Sequence, residues 1–593
     1  MMENQGEIRW DLSDLYASTT DPQIEADMAE ALKLADEFAR RYRGRVAGMP
    51  PDEMLGALEE LERIYTISYK PSSFAFLSFS VDTENPELQA LFSRCSEVAT
   101  ETYNHLVFFD VELKAARDEE FARFVTAPEL SKYHHYLSVK RTLAPHTLSE
   151  AEERLFAQLR LTGISAWNQL YTEITSALRF PIEVGGEVKQ LTDAEVRSLR
   201  TEPDRDLRRR AGESLYSVYE SNSRVLTYVF NTIFQDHKIT IGLRGFREPI
   251  EPTALESELS TDVIELLMAT TEANYGIAQE YYRLKAKMLG LEGNFRYYDV
   301  LAPYTKEETR YSFAEAQALV LDAFGQFDNR LREIAEKFFT QRWIDATPRP
   351  GKRGGAFCDG LLPAYHPYVL ANFTGRLDDA FTIAHELGHG IHFYLARQQN
   401  VLSYEPTTPM AEVASVFGEM LLADYLRECD SGPGLQRIVL SKMIEEAIST
   451  IFRQVMYTRW EQRAHARRAA GVATADEYNA LWMEENSKLY GSAVSFDAPD
   501  RWGWISIPHF VHYRFYCFSY AFAHLVTFAL YKKFREDRSG FPARHIELLA
   551  SGGKDRPEVI LGTVGLNPYD PDFWQRGFDL LRDLLRDFQQ SAS

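Results

Sequence analysis

Apolar residues recur at three- and four-residue spacing among charges over Ile24 to Tyr42, Pro51 to Ser68, Glu87 to Ala116 and Ser149 to Leu178. That period predicts helices, each with one buried stripe. The same spacing predicts helices over Asp262 to Leu289 and Ser312 to Phe339. One segment breaks the period. In FPIEVGGEVKQLT two short alternating runs flank Gly185-Gly186, which predicts a hairpin. Thr192-Asp193-Ala194-Glu195 then reads as a capped helix start, and the arginines between Arg205 and Arg210 as a solvated helix face. Proline and glycine crowd together in TPRPGKRGGAF, Thr347 to Phe357, so a loop is expected there. The short apolar run YVLANF, Tyr368 to Phe373, is bounded by Pro367 and Gly375 and suits a strand. The chain is therefore expected to be mostly α, with a helical N-terminal lobe over residues 1–200 and a larger lobe over 201–593.

Composition narrows this little. A chain of 593 residues exceeds what one core needs, so a large multi-lobed body is expected. Hydrophobic content of 45% with 26% charged residues is ordinary for a soluble globular protein. The net charge of −22 repels nucleic acid and anionic membrane surfaces, so neither is an expected partner. Cationic or neutral peptides are mildly favoured. Cys95, Cys358, Cys429 and Cys517 lie far apart without a CxxC pair, which argues against a disulfide framework and a cysteine-only zinc site. The polar, acidic start MMENQGEIRWDLSDLY does not read as a signal peptide, and no apolar stretch is long enough to span a bilayer. A cytoplasmic location is the simplest expectation. Oligomeric state leaves no trace in the sequence.

Chemistry enters at His385-Glu386-Leu387-Gly388-His389. Residues four apart on a helix lie about 40° apart around its axis and one turn along it. Both imidazoles can then grip one tetrahedral ion, leaving room for a third ligand and a water. Glu386 sits beside that face, where its carboxylate can take a proton from the water such an ion activates. Asp378-Asp379 in the first turn and the proline-free run that follows support a helix. Thr408-Pro409 opens a second helix, MAEVASVFGEMLLADYLREC, which presents Glu412 and Glu419 nearly on one face. A glutamate from a following helix completes a zinc site of the gluzincin type. The rival pattern needs a histidine six residues after His389, where this chain has Leu395. His392 lies on the same stripe and is read as packing or as a partner of the ligands.

A third cluster lies far downstream in IPHFVHYRFYCFSYAFAH, Ile507 to His524. His509, His512, Tyr513, Tyr516 and Tyr520 fall within twelve positions, and the three tyrosines recur at helical spacing. Tyrosine hydroxyls remain protonated at neutral pH and can donate to an oxyanion. The same spacing would also suit an aromatic helix packed in a core.

These pieces together resemble the oligoendopeptidase F branch of the thimet oligopeptidase family. The likeness runs through WDLSDLY, YDVLAP, GKRGGAF, HELGHGIH, AEVASVFGE, IPHF with its tyrosines, and LNPYDPDFWQRGF. It implies a mostly α, two-lobed zincin-type molecule with a small sheet beside the HExxH helix and a deep substrate channel. It further implies one Zn2+ held by His385, His389 and Glu412, with Glu386 as base; Glu419, two turns further along the same face, is read as the partner of a zinc-bound histidine. His509 and Tyr516 or Tyr520 would steady the intermediate, and short unstructured peptides would be cut at internal bonds. The strand YVLANF, at Ala371, would pair with the peptide backbone, and Tyr513 would line the same wall as the other tyrosines. Two alternatives remain: removal of dipeptides from C-termini, and a zinc-containing protein that binds peptides without turning them over.

Overall fold

The computed structural model describes residues 7–304, 310–429 and 433–591. Among these residues the chain is mostly helical, as expected, with two small sheets. It divides into two compact units, one built from the described residues within 7–147, 310–429 and 533–567, the other from those within 148–304, 433–532 and 568–591.

The first unit opens with three helices, Pro22–Tyr42, Pro51–Val81 and Pro86–Ala115, each started by proline, which suits a first turn because the missing N–H has no helical partner there. Phe38, Leu58, Leu61, Phe109 and Leu113 form the core between them. The second helix passes through Pro71 and ends only at Val81, well beyond the expected Ser68. Burial of Phe74, Ala75 and Leu77 in this stretch outweighs the lost backbone hydrogen bond.

The second unit contains the hairpin, with β1 (Phe180–Val184) paired antiparallel to β2 (Glu187–Leu191). Its two-residue turn holds Gly185 and Gly186 at φ +65° and +86°, which glycine adopts without strain. Two helices expected as single rods within this unit are each broken once: at Gly163, between Glu150–Thr162 and Ile164–Ala177, and at Asn274, between Thr261–Ala273 and Tyr275–Met288. The arginine run is only half solvated. Arg208 is buried and, with Arg205, bonds to the fully buried Asp299, while Arg209 and Arg210 pair with exposed acids on their own helix. An inward arginine finds its carboxylate 91 positions away, which helical periodicity does not reveal.

The sheet of the first unit has β3 (Ile344–Asp345), β4 (Phe357–Asp359) and β5 (Tyr368–Leu370) in the order β3-β5-β4. The expected YVLANF strand is therefore the central one, parallel to β3 and antiparallel to β4. After it comes the motif helix, Leu377–Ala396. Asp379 fixes its start by accepting the amides of Thr374 and Arg376. The next long helix, Thr408–Glu428, begins one residue earlier than expected, with Thr407 in place of Thr408 as its cap.

These two helices meet through glycine. A Cβ on Gly388 would lie 2.5 Å from the Ala414 carbonyl oxygen and 2.7 Å from the Ser415 Cα. One on Gly418 would lie 2.6 Å from the Ala384 carbonyl oxygen. The obstacles are backbone atoms and cannot rotate away. The helix cost of Gly388 relative to alanine, about 1 kcal/mol, is offset by this approach. Gly388→Ala is expected to destabilise the protein by about 1–3 kcal/mol through overpacking, despite its better helix propensity. A thermal melt checks this, and an unchanged or raised midpoint would contradict the close crossing.

Candidate metal centre

The crossing at Gly388 and Gly418 brings the acidic face of the second helix against the histidines of the first. Nε2 of His385 and Nε2 of His389 each stand 3.6 Å from the same oxygen, Glu412 Oε2. The three donor atoms lie within 4.8 Å of one another. Two donors bound tetrahedrally at zinc distances of about 2.0–2.1 Å sit roughly 3.4 Å apart. The chemistry and spacing of this set thus fit a single zinc ion.

The surrounding groups orient the donors. His385 Nδ1 is 2.6 Å from Glu419 Oε1, so that N–H donates to the carboxylate, and Nε2 is the nitrogen that would face a bound ion once the ion displaces its proton. The Ser415 hydroxyl donates to Glu412 Oε2 over 3.0 Å from one turn further along the helix. Ser415 is fully buried and had no signal in the sequence beyond its position three residues after Glu412. His389 also hydrogen-bonds to the Ala411 backbone.

Burial and charge set the protonation of these groups in opposite directions. Burial lowers His385, but the bond to Glu419 and the nearby carboxylates carry it up to about 9. Burial, reinforced by His385, pushes His389 down to about 3. Glu386, 7% exposed, is pushed up to about 7 by burial, with His385 opposing and Glu412 and Glu419 adding to the rise. His392 is buried and likewise pushed down to about 3 by burial. It packs beside Phe393 and does not join the donor set.

Ala371 requires a correction. Its amide donates to the Asp345 carbonyl and its own carbonyl accepts the Lys352 ammonium, so neither backbone group is available to a peptide. β5 is flanked on both sides, and the outer edge on the motif side of the chain belongs to β4. This three-residue strand fell inside and just after the expected loop, too short to show a period. Burial pushes the Cys358 thiol of β4 up, and the charges of nearby Glu386 and Asp359 add to the rise.

The downstream cluster belongs to the other unit. It is not one helix: a four-residue helix, His509–His512, is followed by a break, and a long helix begins at Phe518. In the break, Phe515 takes φ +56°, a left-handed conformation costly for a bulky residue. Its amide is held by the buried Glu461 carboxylate at 2.9 Å. The break replaces the expected helical wall with a fold-back. His509 Nε2 meets the Tyr520 hydroxyl at 3.1 Å, and the Tyr516 ring stacks near His509 and edge-on to Tyr520. Tyr513 is 65% exposed at the rim of this group. Burial, then His512, lowers His509, which keeps its imidazole neutral at pH 7.

Comparison with known proteins defines the class: the chain is a peptidase. It belongs to peptidase family M3, whose sequence model matches residues 198–580, and a model described as oligopeptidase F matches residues 112–180. The group B oligopeptidase of Streptococcus agalactiae is 24% identical over 99% of this chain and 98% of its own length. Oligopeptidase PepF of Bacillus subtilis is 24% identical over 99% of this chain and 89% of its own. Among solved structures, a Chlamydophila abortus protein superposes with a TM-score of 0.88 at 24% identity, covering 98% of both chains. Oligoendopeptidase F of Enterococcus faecium gives 0.70 at 23% identity, covering 95% of this chain and 97% of its own. These structural likenesses concern the fold.

Proposed function

We propose that the chain is a zinc-dependent endopeptidase that hydrolyses internal bonds of short unstructured peptides. The observation that carries this reading is the donor set of His385, His389 and Glu412 with the buried Glu386 beside it. When bound, zinc supplies Lewis-acid activation of water and of the scissile carbonyl. Glu386 accepts the proton of the attacking water and passes it to the leaving amine. Glu419 holds the His385 ring in the tautomer that leaves Nε2 as donor. His509 and Tyr520, already hydrogen-bonded to each other, supply donors to the oxyanion. Strand addition by the substrate is assigned to the edge of β4. The expected enclosed channel limits substrates to short peptides, and the scattered cysteines favour a reducing, cytoplasmic setting.

The test is digestion of peptides blocked at both ends, of graded length, with and without chelator. Internal cleavage of peptides of roughly a dozen residues, abolished by chelator and restored by zinc, is expected. Persistence with chelator would overturn the metal reading, efficient digestion of denatured casein the length limit, and release of C-terminal dipeptides alone the endopeptidase reading. Tyr520→Phe should lower kcat by about 10- to 1000-fold with little change in KM, because only a hydroxyl acting on the transition state is lost. Wild-type turnover in Tyr520→Phe, Tyr516→Phe and His509→Ala alike would leave the cluster a packing role.

A further inference from the structure

The second unit contains a cavity of about 500 Å³ with His509 in its lining. Its charge is unusual for a chain of net charge −22: the lining holds Arg197, Arg200 and Arg453 but one carboxylate, Asp193. Asp193 is committed, since it pairs with Arg197 Nε at 2.5 Å and accepts the Tyr219 hydroxyl. That leaves two guanidiniums uncompensated. Arg200 is 9% exposed, and its Nε is buried with no hydrogen-bond partner. The Nε of Arg453 is buried in the same condition. Among the described residues neither side chain makes an ion pair. Asp500 feels the charge of Arg200 at a distance but makes no ion pair with it; its Oδ2 accepts the Asp497 amide.

Two desolvated arginines without ion-pair partners are expensive to keep unless something anionic completes them. Aromatic faces supply part of the compensation: the Arg200 Cζ lies 5.8 Å from the centre of Tyr216 and 5.6 Å from that of Tyr297. Ring faces hold a guanidinium in place but do not satisfy its N–H groups, which project along the plane of the fork. A carboxylate matches that fork with two parallel hydrogen bonds. The cavity volume lies within the roughly 300–1,000 Å³ usual for ligand pockets, enough for the end of a peptide.

We propose that Arg200 and Arg453 form a carboxylate-binding subsite that anchors one acidic group of the substrate peptide beside His509. The proposal rests on the peptidase reading above. The carboxylate has two sources, the C-terminus and an Asp or Glu side chain. An anchor of this kind acts in substrate binding and therefore in KM.

The experiment compares full-length wild type, Arg200→Met and Arg453→Met on one N-terminally blocked peptide made as the C-terminal acid and the C-terminal amide. A second pair, both amidated, carries Glu or Gln at one position. Wild type is expected to show a KM about 10- to 100-fold lower for the charged member of one pair, with kcat nearly equal. In both variants that ratio should collapse toward one. A preference for the acid over the amide assigns the C-terminus, and a preference for Glu over Gln assigns a side chain. Ratios near one in wild type for both pairs, or a ratio preserved in both variants, would overturn the subsite. Circular dichroism identifies a variant that fails to fold, in which case the other variant and the wild-type ratio decide. If wild type cleaves none of the peptides, the peptidase reading fails separately. Calorimetric binding of the same peptide pairs then decides this proposal.

Discussion

Glu386→Gln is expected to reduce turnover by about 10³- to 10⁴-fold while the purified protein retains its zinc. Glutamine keeps the volume and most of the contacts of a side chain that is 7% exposed, so the helix crossing should be undisturbed. In the proposed mechanism, what disappears is the ability to accept a proton from water and return it to the amine, and general acid–base catalysis contributes about 10²–10⁴-fold in enzymes. The upper part of that range is expected because one carboxylate serves both transfers. Glu386 lies outside the donor set of His385, His389 and Glu412, so zinc content measured by atomic absorption should match wild type. Loss of zinc together with activity would instead make Glu386 a ligand.

The second large effect separates two glutamates that look alike in sequence. Glu412→Ala should abolish tight zinc binding, whereas Glu419→Ala should weaken it by about 10- to 100-fold. Seven residues on one helix face span about 10 Å along the axis, so the two carboxylates cannot meet one ion from the same direction. The structure places them at opposite nitrogens of one ring: Glu412 is 3.6 Å from His385 Nε2, and Glu419 is 2.6 Å from Nδ1. Removing Glu412 takes away the only carboxylate of the three-donor set. Removing Glu419 leaves the donors present but frees the His385 tautomer. A zinc titration against a competing chelator measures both, and the reverse order of affinities would exchange their roles.

The parts of the molecule legible in the sequence are those whose signal is local. Helical stripes, the Gly185-Gly186 turn, the Thr192–Glu195 capping box and the helix carrying His385 and His389 all follow from residues a turn or two apart. A place for Glu419 behind one of the histidines was accessible because both neighbouring helices are regular rods and one face of each was evident; that the histidine is His385 was not. What escaped depends on distant partners. β4 gains its identity from β5 and not from its own three residues. The inward turn of Arg208 requires Asp299, and the fold-back at Phe515 requires Glu461. Tyr513, Tyr516 and Tyr520 fit a helical period, but the period is interrupted between them by a backbone conformation that no residue type in HFVHYRFYCF announces.

Synthesis order gives the segmented first unit a further significance. The ribosome delivers His385, His389 and Glu412 long before the residues that close around their helices. His545 is buried against Phe417, and the amide of Gly553 bonds to the Ser403 carbonyl at the end of the intervening loop. Between Glu412 and those partners the chain must first produce 433–532, which belong to the other unit. The donor helices therefore wait as unfinished apolar surface while an entire foreign segment is translated, and closing that long loop is a late, entropically costly event. A newly made chain thus carries its candidate metal donors and Glu386 for many seconds before it can hold them rigidly, at elongation rates of about 5–20 residues per second. For a peptidase, this delay separates the moment these groups exist from the moment they can act on neighbouring nascent chains.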